Sequence, residues 1–326
     1  MIYRIDSNFN KGNVEALASI YGIHKLGTVD KIVFNLNHYH ECNPFNNLVI
    51  AKTLKDYAAN NPNVSCSLRR CKSVKTDSFL QHIGFYDMVG VSYGKKVGES
   101  FPNTNYVPIT KLKFNKDFYQ DIERYAKTLS NTLSFDPNLH KFSTYVFVEL
   151  IRNIYEHSQS QDAYICAQKW EPYNLVEIAI VDSGCGIASA LKSVYNNQSE
   201  EELLRMATDP GISAKSNHCF LDKNDDWRNS GYGLYAIKKL AIEYGGSLMI
   251  CSNNYCDYYV RNGDISHYRT YFQGTALAIR FRIDKKIDFI KARRKIILEG
   301  ETEAKHNNRY ESIKSASKAS SGSYSK

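Results

Sequence analysis

The segment IVDSGCGI, residues 180–187, ends an apolar run on Asp182 and follows it with glycines at alternate positions, Gly184 and Gly186. Such a run predicts a buried strand, and a carboxylate delivered at its end is costly to desolvate unless something answers it. The glycines either make a tight turn with Asp182 as its first residue, or clear the backbone for a ligand. The rest of the chain has to choose between these.

At 326 residues the chain has room for two domains, each with its own core. It is 43% hydrophobic and 23% charged, with a mean hydropathy of −0.45, the composition of a soluble globular protein. No stretch approaches the ~20 apolar residues of a membrane span. The opening MIYRIDSNFNKGN has no charged-then-apolar signal pattern, so a cytoplasmic location is expected. The eight cysteines lack the tight pairing of a zinc site and are expected as reduced thiols. From Lys285 onward there are 11 Lys/Arg against 5 Asp/Glu, so six of the net +8 charges sit in the tail. Its Ser/Lys-rich end, SIKSASKASSGSYSK, cannot build a core and is expected to be disordered. It is either a solvated tail or an electrostatic tether, and any nucleic-acid contact is expected only through it.

Along the chain, KIVFNL (31–36) and NVSCSLRR read as strands around a helix in NPFNNLVIAKTLKDYAANN. TDSFLQHIGFYDMVG reads as a short helix capped by its Thr or Asp. These elements predict a small α/β domain over 1–100, closed by a Gly/Pro/Asn-rich boundary in KKVGESFPNTNYVP. Helices over about 115–134 and 138–158 then precede the strand pair AYICAQKW and LVEIAIVDSG. Residues 187–230 lose periodicity over a lid-like length. The glycine-rich NSGYGLYAIKKLAIEYGG opens a helix with Leu234, Ile237, Ala241 and Tyr244 inward, and SLMICS and GTALAIRFRI read as strands joined by a Tyr- and Asn-rich excursion.

Four features stand in order. On the helix FVELIRNIYEHS, Glu149, Asn153, Glu156 and His157 share one face, beside an apolar stripe of Val146, Leu150 and Ile154. Then come Asp182-x-Gly184-x-Gly186, Gly231-x-Gly233-Leu234 at a helix start, and Gly274-Thr275 opening a strand. Each alone is weak; a lone G-x-G is more often a tight turn than a phosphate cradle.

The conjunction, Glu149-x-x-x-Asn153-x-x-x-His157, Asp182-x-Gly184-x-Gly186, Gly231-x-Gly233-Leu234 and Gly274-Thr275, resembles the GHKL superfamily, the ATP-binding module of gyrase, heat-shock chaperones, histidine kinases and MutL. The resemblance covers 115–283, about half the chain, and implies an α/β sandwich of the Bergerat type with a lid over 187–230. Residues 284–326 are left as a basic helical segment and tail. It implies ATP with Mg²⁺ as ligands. Asp182 would accept a hydrogen bond from the adenine amino group, and Gly184 and Gly186 would let the backbone approach the base. Gly231 and Gly233 would expose main-chain N–H groups to phosphate at a helix N-terminus. Asn153 would be the metal ligand, and Thr275 would support the adenine end. Ile187, Tyr232 and Leu234 flank these motifs and are counted in the pocket. Lys215 is the lid cation expected to reach the γ-phosphate, or else a solvated lysine.

Glu149 is the candidate catalytic residue, a general base for the attacking water, or else an exposed helix carboxylate near Arg152. His157 either approaches the phosphates or caps carbonyls, and Glu156 is expected in solvent. The N-terminal region more faintly resembles the STAS domain of anti-sigma factor antagonists, in its strand–helix–strand order and its closing IGFYDMVG. The stretch HECNPFNN (40–47), where that family carries a phosphorylatable hydroxyl, has none.

The expectation is a soluble ATPase whose Mg·ATP-dependent lid closure regulates a protein partner, with a homodimer as a further option. The alternatives are a protein kinase of the anti-sigma or histidine-kinase type and a non-hydrolysing ATP-sensing adaptor. No acceptor helix with a His followed by an acid is found, which disfavours an autophosphorylating sensor kinase. A DNA-acting machine is disfavoured by the roughly forty residues left after the last strand.

Overall fold

The computed structural model describes residues 1–5, 13–40, 42–91, 105–113, 118–133, 136–158, 160, 162–214, 231–306 and 315–316. The N-terminal part contains β1 (Ile2–Arg4), α1 (Val14–His24), β2 (Lys31–Asn35), α2 (Pro44–Asn60), β3 (Ser65–Arg69), α3 (Val74–His82) and α4 (Phe85–Val89). It is followed by β4 (Tyr106–Lys111), α5 (Phe118–Thr132), α6 (Pro137–Asn153), β5 (Ala163–Trp170) and β6 (Leu175–Asp182). The remainder is α7 (Ile187–Lys192), α8 (Glu200–Met206), α9 (Gly233–Glu243), β7 (Ser247–Val260), β8 (Ile265–Arg282) and α10 (Phe289–His306). The architecture is mixed α/β. A three-stranded parallel sheet has the order β1-β2-β3, and a five-stranded antiparallel sheet the order β4-β5-β6-β8-β7. Among the described residues no helix is long and apolar enough to cross a membrane.

Alternation along the strands explains the layering. On β6, Val176, Ile178 and Ile180 point into one core with Phe142, Val146 and Leu150 of α6 and Ile237 and Leu240 of α9. Ala179 and Val181 point the other way, into a second core with Leu48, Ile50 and Ala51 of α2 and Ile20 of α1. On this second face β8 contributes Ala276 and Ala278 where it pairs with β6, with Phe272 further along the hairpin. Small side chains there allow α2 to lie close across β5, β6 and β8. Beyond α1 and α2 lies the parallel sheet, whose Ile32 and Phe34 complete the same core. The N-terminal part is therefore not separate from the nucleotide-binding candidate region. It forms the second layer of that region's sheet.

Polar ties reinforce the layer contact. Glu177, fully buried on β6, accepts a hydrogen bond from the Phe45 backbone N–H at the start of α2 (2.8 Å) and is paired with Arg280. Lys55 of α2 reaches Asp162 at 2.9 Å, and Lys111 of β4 reaches the same carboxylate at 2.7 Å. Those cations hold the Asp162 carboxyl well below its usual range despite its partial burial.

Several sequence expectations are corrected. The strand β4 begins inside the stretch read as an interdomain boundary, and pairs antiparallel with β5. The helix expected in 76–90 is two helices hinged at Gly84 (φ 84°), and its cap is Ser73, not Thr76 or Asp77. The span expected as an aperiodic lid contains α7 and α8, which bury Leu191, Leu203 and Met206 in a small core of their own; residues 215–230 lie outside the described residues. The Tyr- and Asn-rich excursion is a continuation of β7 and β8 as a long hairpin. The basic helix after the last strand is not peripheral, because Phe289, Ile296 and Ile297 of α10 are buried in the first core.

Leu48 sits between the layers with no exposed surface. Leu48→Ala is expected to destabilise the whole chain by about 2–5 kcal/mol. Because the core is shared, urea unfolding should remain one transition, read by circular dichroism; a separate early transition would contradict the shared layer.

Candidate functional site

The end of β6 places Asp182 opposite Thr275 of β8 in the strand register. Asp182 is 3% exposed, and its carboxylate accepts a hydrogen bond from the Gly184 backbone N–H at 2.7 Å. Thr275 adds its hydroxyl and main-chain donors to the same carboxylate. Desolvation still dominates and raises the Asp182 carboxyl to about 6.

The turn that follows is held from the side by β7. Gly186 has φ 82°, and a Cβ there would run into Ser252 and Asn253. Ser252 Oγ accepts a hydrogen bond from the Ile187 N–H at 2.8 Å. Asn253, itself at φ 50°, donates to the Cys185 carbonyl at 3.0 Å and accepts from the Gly274 N–H at 3.2 Å. Gly186 is thus required by its backbone angle and by these neighbours, rather than by clearance for a base. The irregular register of β7 at Ser252–Tyr255 brings Cys251 and Cys256 to a Cα separation of 3.9 Å, where they are disulfide-bonded. The expectation of reduced thiols fails for this pair, since the bulge removes the sequence spacing that kept them apart. Among the described residues Cys42, Cys66, Cys71, Cys166 and Cys185 are not disulfide-bonded, and Cys219 lies outside the described residues.

A pocket opens over this turn. Asp182, Gly186, Ile187, Thr275, Asn153, Gly231, Gly233 and Leu234 all line it, so the four sequence motifs are brought to one cavity. Ile154, Leu191, Ala207, Ile212 and Leu277 supply apolar walls that no motif announced. Gly184 is not in the lining and serves the turn through its bond to Asp182. Tyr232 is likewise absent from it, because its ring is fully buried in the core beneath α9. Lys215 lies outside the described residues.

Glu149 is placed differently from expectation. It is 1% exposed, does not line the pocket, and binds Arg152, also 1% exposed, through a 2.7 Å ion pair. Burial raises the Glu149 carboxyl above its usual range, while the Arg152 guanidinium pulls it down. Gly233 exists to accommodate this pair, since a Cβ there would overlap the Glu149 carboxylate. The α-helix gives way to a π-helical turn over Ile154–Ser158, which changes the angular spacing of the residues after Asn153. Glu156 therefore turns inward, with its side chain 5% exposed and 3.9 Å from Arg152, instead of facing solvent.

Two features suit an anionic, metal-bearing ligand. Helix α9 starts at Gly233 with no side-chain cap from its N-cap residue and no acid of its own in the first turn, although the Glu149 carboxylate lies beside Gly233. Asn153, half-buried at the pocket wall, has a buried amide nitrogen without a hydrogen-bond partner. Among the described residues no three His, Cys, Asp or Glu side chains gather to form a metal cage. The unpartnered Asn153 nitrogen is a donor suited to a phosphate oxygen, while the oxygen of the same amide is the atom that would fit Mg²⁺, which takes few protein ligands and draws the rest from phosphate and water. Gly231, at φ 71°, is excluded from carrying a side chain by the Ile212 carbonyl rather than by ligand clearance alone. No family model matches the chain, and no curated protein matches it either.

The Asp182 environment sets a pH signature. Its folded-state pKa of about 6 lies above the ordinary carboxylate value of 3.8, so between those values the folded state binds the extra proton and stability falls as pH rises. Asp182→Asn lacks this loss. Its stability advantage over wild type should grow between pH 4 and 6 and level off above, by at most roughly 3 kcal/mol. Paired urea titrations across that range measure it.

Proposed function

We propose that the chain binds an adenine nucleotide with Mg²⁺ in this pocket and uses it to regulate a protein partner. The observation that carries the reading is a buried, desolvated carboxylate in the same cavity as a helix start without a side-chain cap and an unpartnered amide donor. A protein retains a charge at that cost where binding recovers it. Asp182 would accept from the exocyclic amino group, and the apolar walls would sandwich the ring. The first turn of α9 would face phosphate, and Asn153 would hold Mg²⁺, which neutralises phosphate charge when bound. Residues 187–214, which border the pocket through Ile187, Leu191 and Ile212, are the segment through which occupancy would reach a partner.

A second reading concerns hydrolysis. The Glu149–Arg152 pair, outside the lining, favours a nucleotide-holding switch over a fast ATPase, because a carboxylate already paired with a guanidinium is a poor base. In that reading the nucleotide acts as a slowly exchanged ligand, and Glu149 and Arg152 support the helix on which Asn153 is displayed.

Titration calorimetry separates these. Wild type should give magnesium-dependent heat with ATP, and Asp182→Asn should weaken binding about 10- to 150-fold, the effect of one charge-assisted hydrogen bond of roughly 1.5–3 kcal/mol. Unchanged heat in Asp182→Asn removes the nucleotide reading. Phosphate-release rates of wild type and Glu149→Gln then divide the two modes: a large drop makes Glu149 the base, and equal rates support the holding switch.

A further inference from the structure

We propose that the outer face of the β1-β2-β3 sheet is the docking site for an amphipathic helix with acidic flanks, supplied by a protein partner. The inference is independent of the nucleotide reading. Parallel sheets bury both faces in almost all folds, because their strands are apolar and their crossovers place helices against them. Here, among the described residues, only one face is packed in a core. Register and alternation put Tyr3, Phe34 and Leu68 on the inner side, where they pack in the core shared with α1 and α2. The intervening residues point outward, and none of them belongs to a core cluster.

That outer face has a definite chemistry. Ile2 (58% exposed), half-buried Val33 and exposed Ser67 form one row across the three strands. Arg4 and Arg69 flank the next row, whose centre, Asn35, is buried and bonds the Asn37 N–H, and Lys31 lies at the other side of Val33. All three cations are exposed, and none has an ion-pair partner among the described residues. No outward position of these strands carries an acid.

The occupant follows from size and charge. Three strands about 4.8 Å apart span about 10 Å, the width of a single helix. An apolar centre calls for an apolar stripe, and a rim of unpaired cations calls for Asp or Glu beside it. A second copy of this face would set three cations against three, which disfavours self-association. The face lacks an aromatic side chain for base stacking, which disfavours single-stranded nucleic acid.

The test uses the full chain and two stapled, fluorescein-labelled helical peptides of 16 residues. They share a leucine stripe and differ only in Glu or Lys flanks. Fluorescence anisotropy should show binding of the Glu-flanked peptide, weakened by salt and reduced at least tenfold in Arg4→Glu/Arg69→Glu. The Lys-flanked peptide should bind only that charge-reversed variant. Ser67→Glu, a single exposed change, should weaken the Glu-flanked peptide as well and covers the case in which the double variant does not fold. The proposal is overturned by equal binding of both peptides, or by undiminished binding to the variants. It is also overturned if a labelled 20-mer oligonucleotide takes the peptide's place with the same charge dependence. A dimer in light scattering that Val33→Lys dissolves would overturn it too.

Discussion

The close approach of α2 to the middle of the antiparallel sheet is the contact on which the rest of the structure depends. It is possible because Ala179, Ala276 and Ala278 keep that face shallow, while the opposite face carries the larger Ile178, Ile180, Leu277 and Ile279. With both faces covered, β6 is a fully buried strand, and Asp182 emerges at its end into a desolvated environment. The raised proton affinity of Asp182 is a direct consequence of this layering. A sheet open on one side would solvate that carboxylate and leave it ordinary.

The glycines of the candidate site acquire a different meaning once their neighbours are known. Gly186, Gly231 and Gly233 are all required, yet what excludes a Cβ in each case is the protein itself: Ser252 and Asn253, the Ile212 carbonyl, and the Glu149 carboxylate. The bulge in β7 acts as a brace for the turn after Asp182, and through Asn253 it also holds Gly274 at the start of the Thr275 segment. The site is thus preorganised by three separate strands, a rigid base beneath a segment that includes α7 and α8.

The order in which the two large features combine also bears on regulation. The N-terminal layer touches the sheet on the face opposite α6 and α9, and Lys52 of α2, fully buried, acts electrostatically on Asp182 from behind. Any movement of that layer changes the field at the base of the pocket. The two halves of the chain share one core and one electrostatic environment, so the partner and ligand binding proposed above would have a physical route for coupling.

Much of this was legible in the chain. Apolar periodicity located β2, α2, β5, β6 and α9, because each buries a face whose period shows in the residues themselves. The pocket lining at Asn153, Asp182, Gly186, Gly231, Gly233 and Thr275 was legible because these groups are local to short motifs. What only the tertiary structure decided was long-range: the brace from Ser252 and Asn253, the burial of Glu149 with Arg152, the inward turn of Glu156, and the Cys251–Cys256 pairing. Each depends on which elements become neighbours, or on one irregular turn or bulge, and neither has a signature in local periodicity. The sequence determines which faces must be buried; packing determines which polar groups are buried with them.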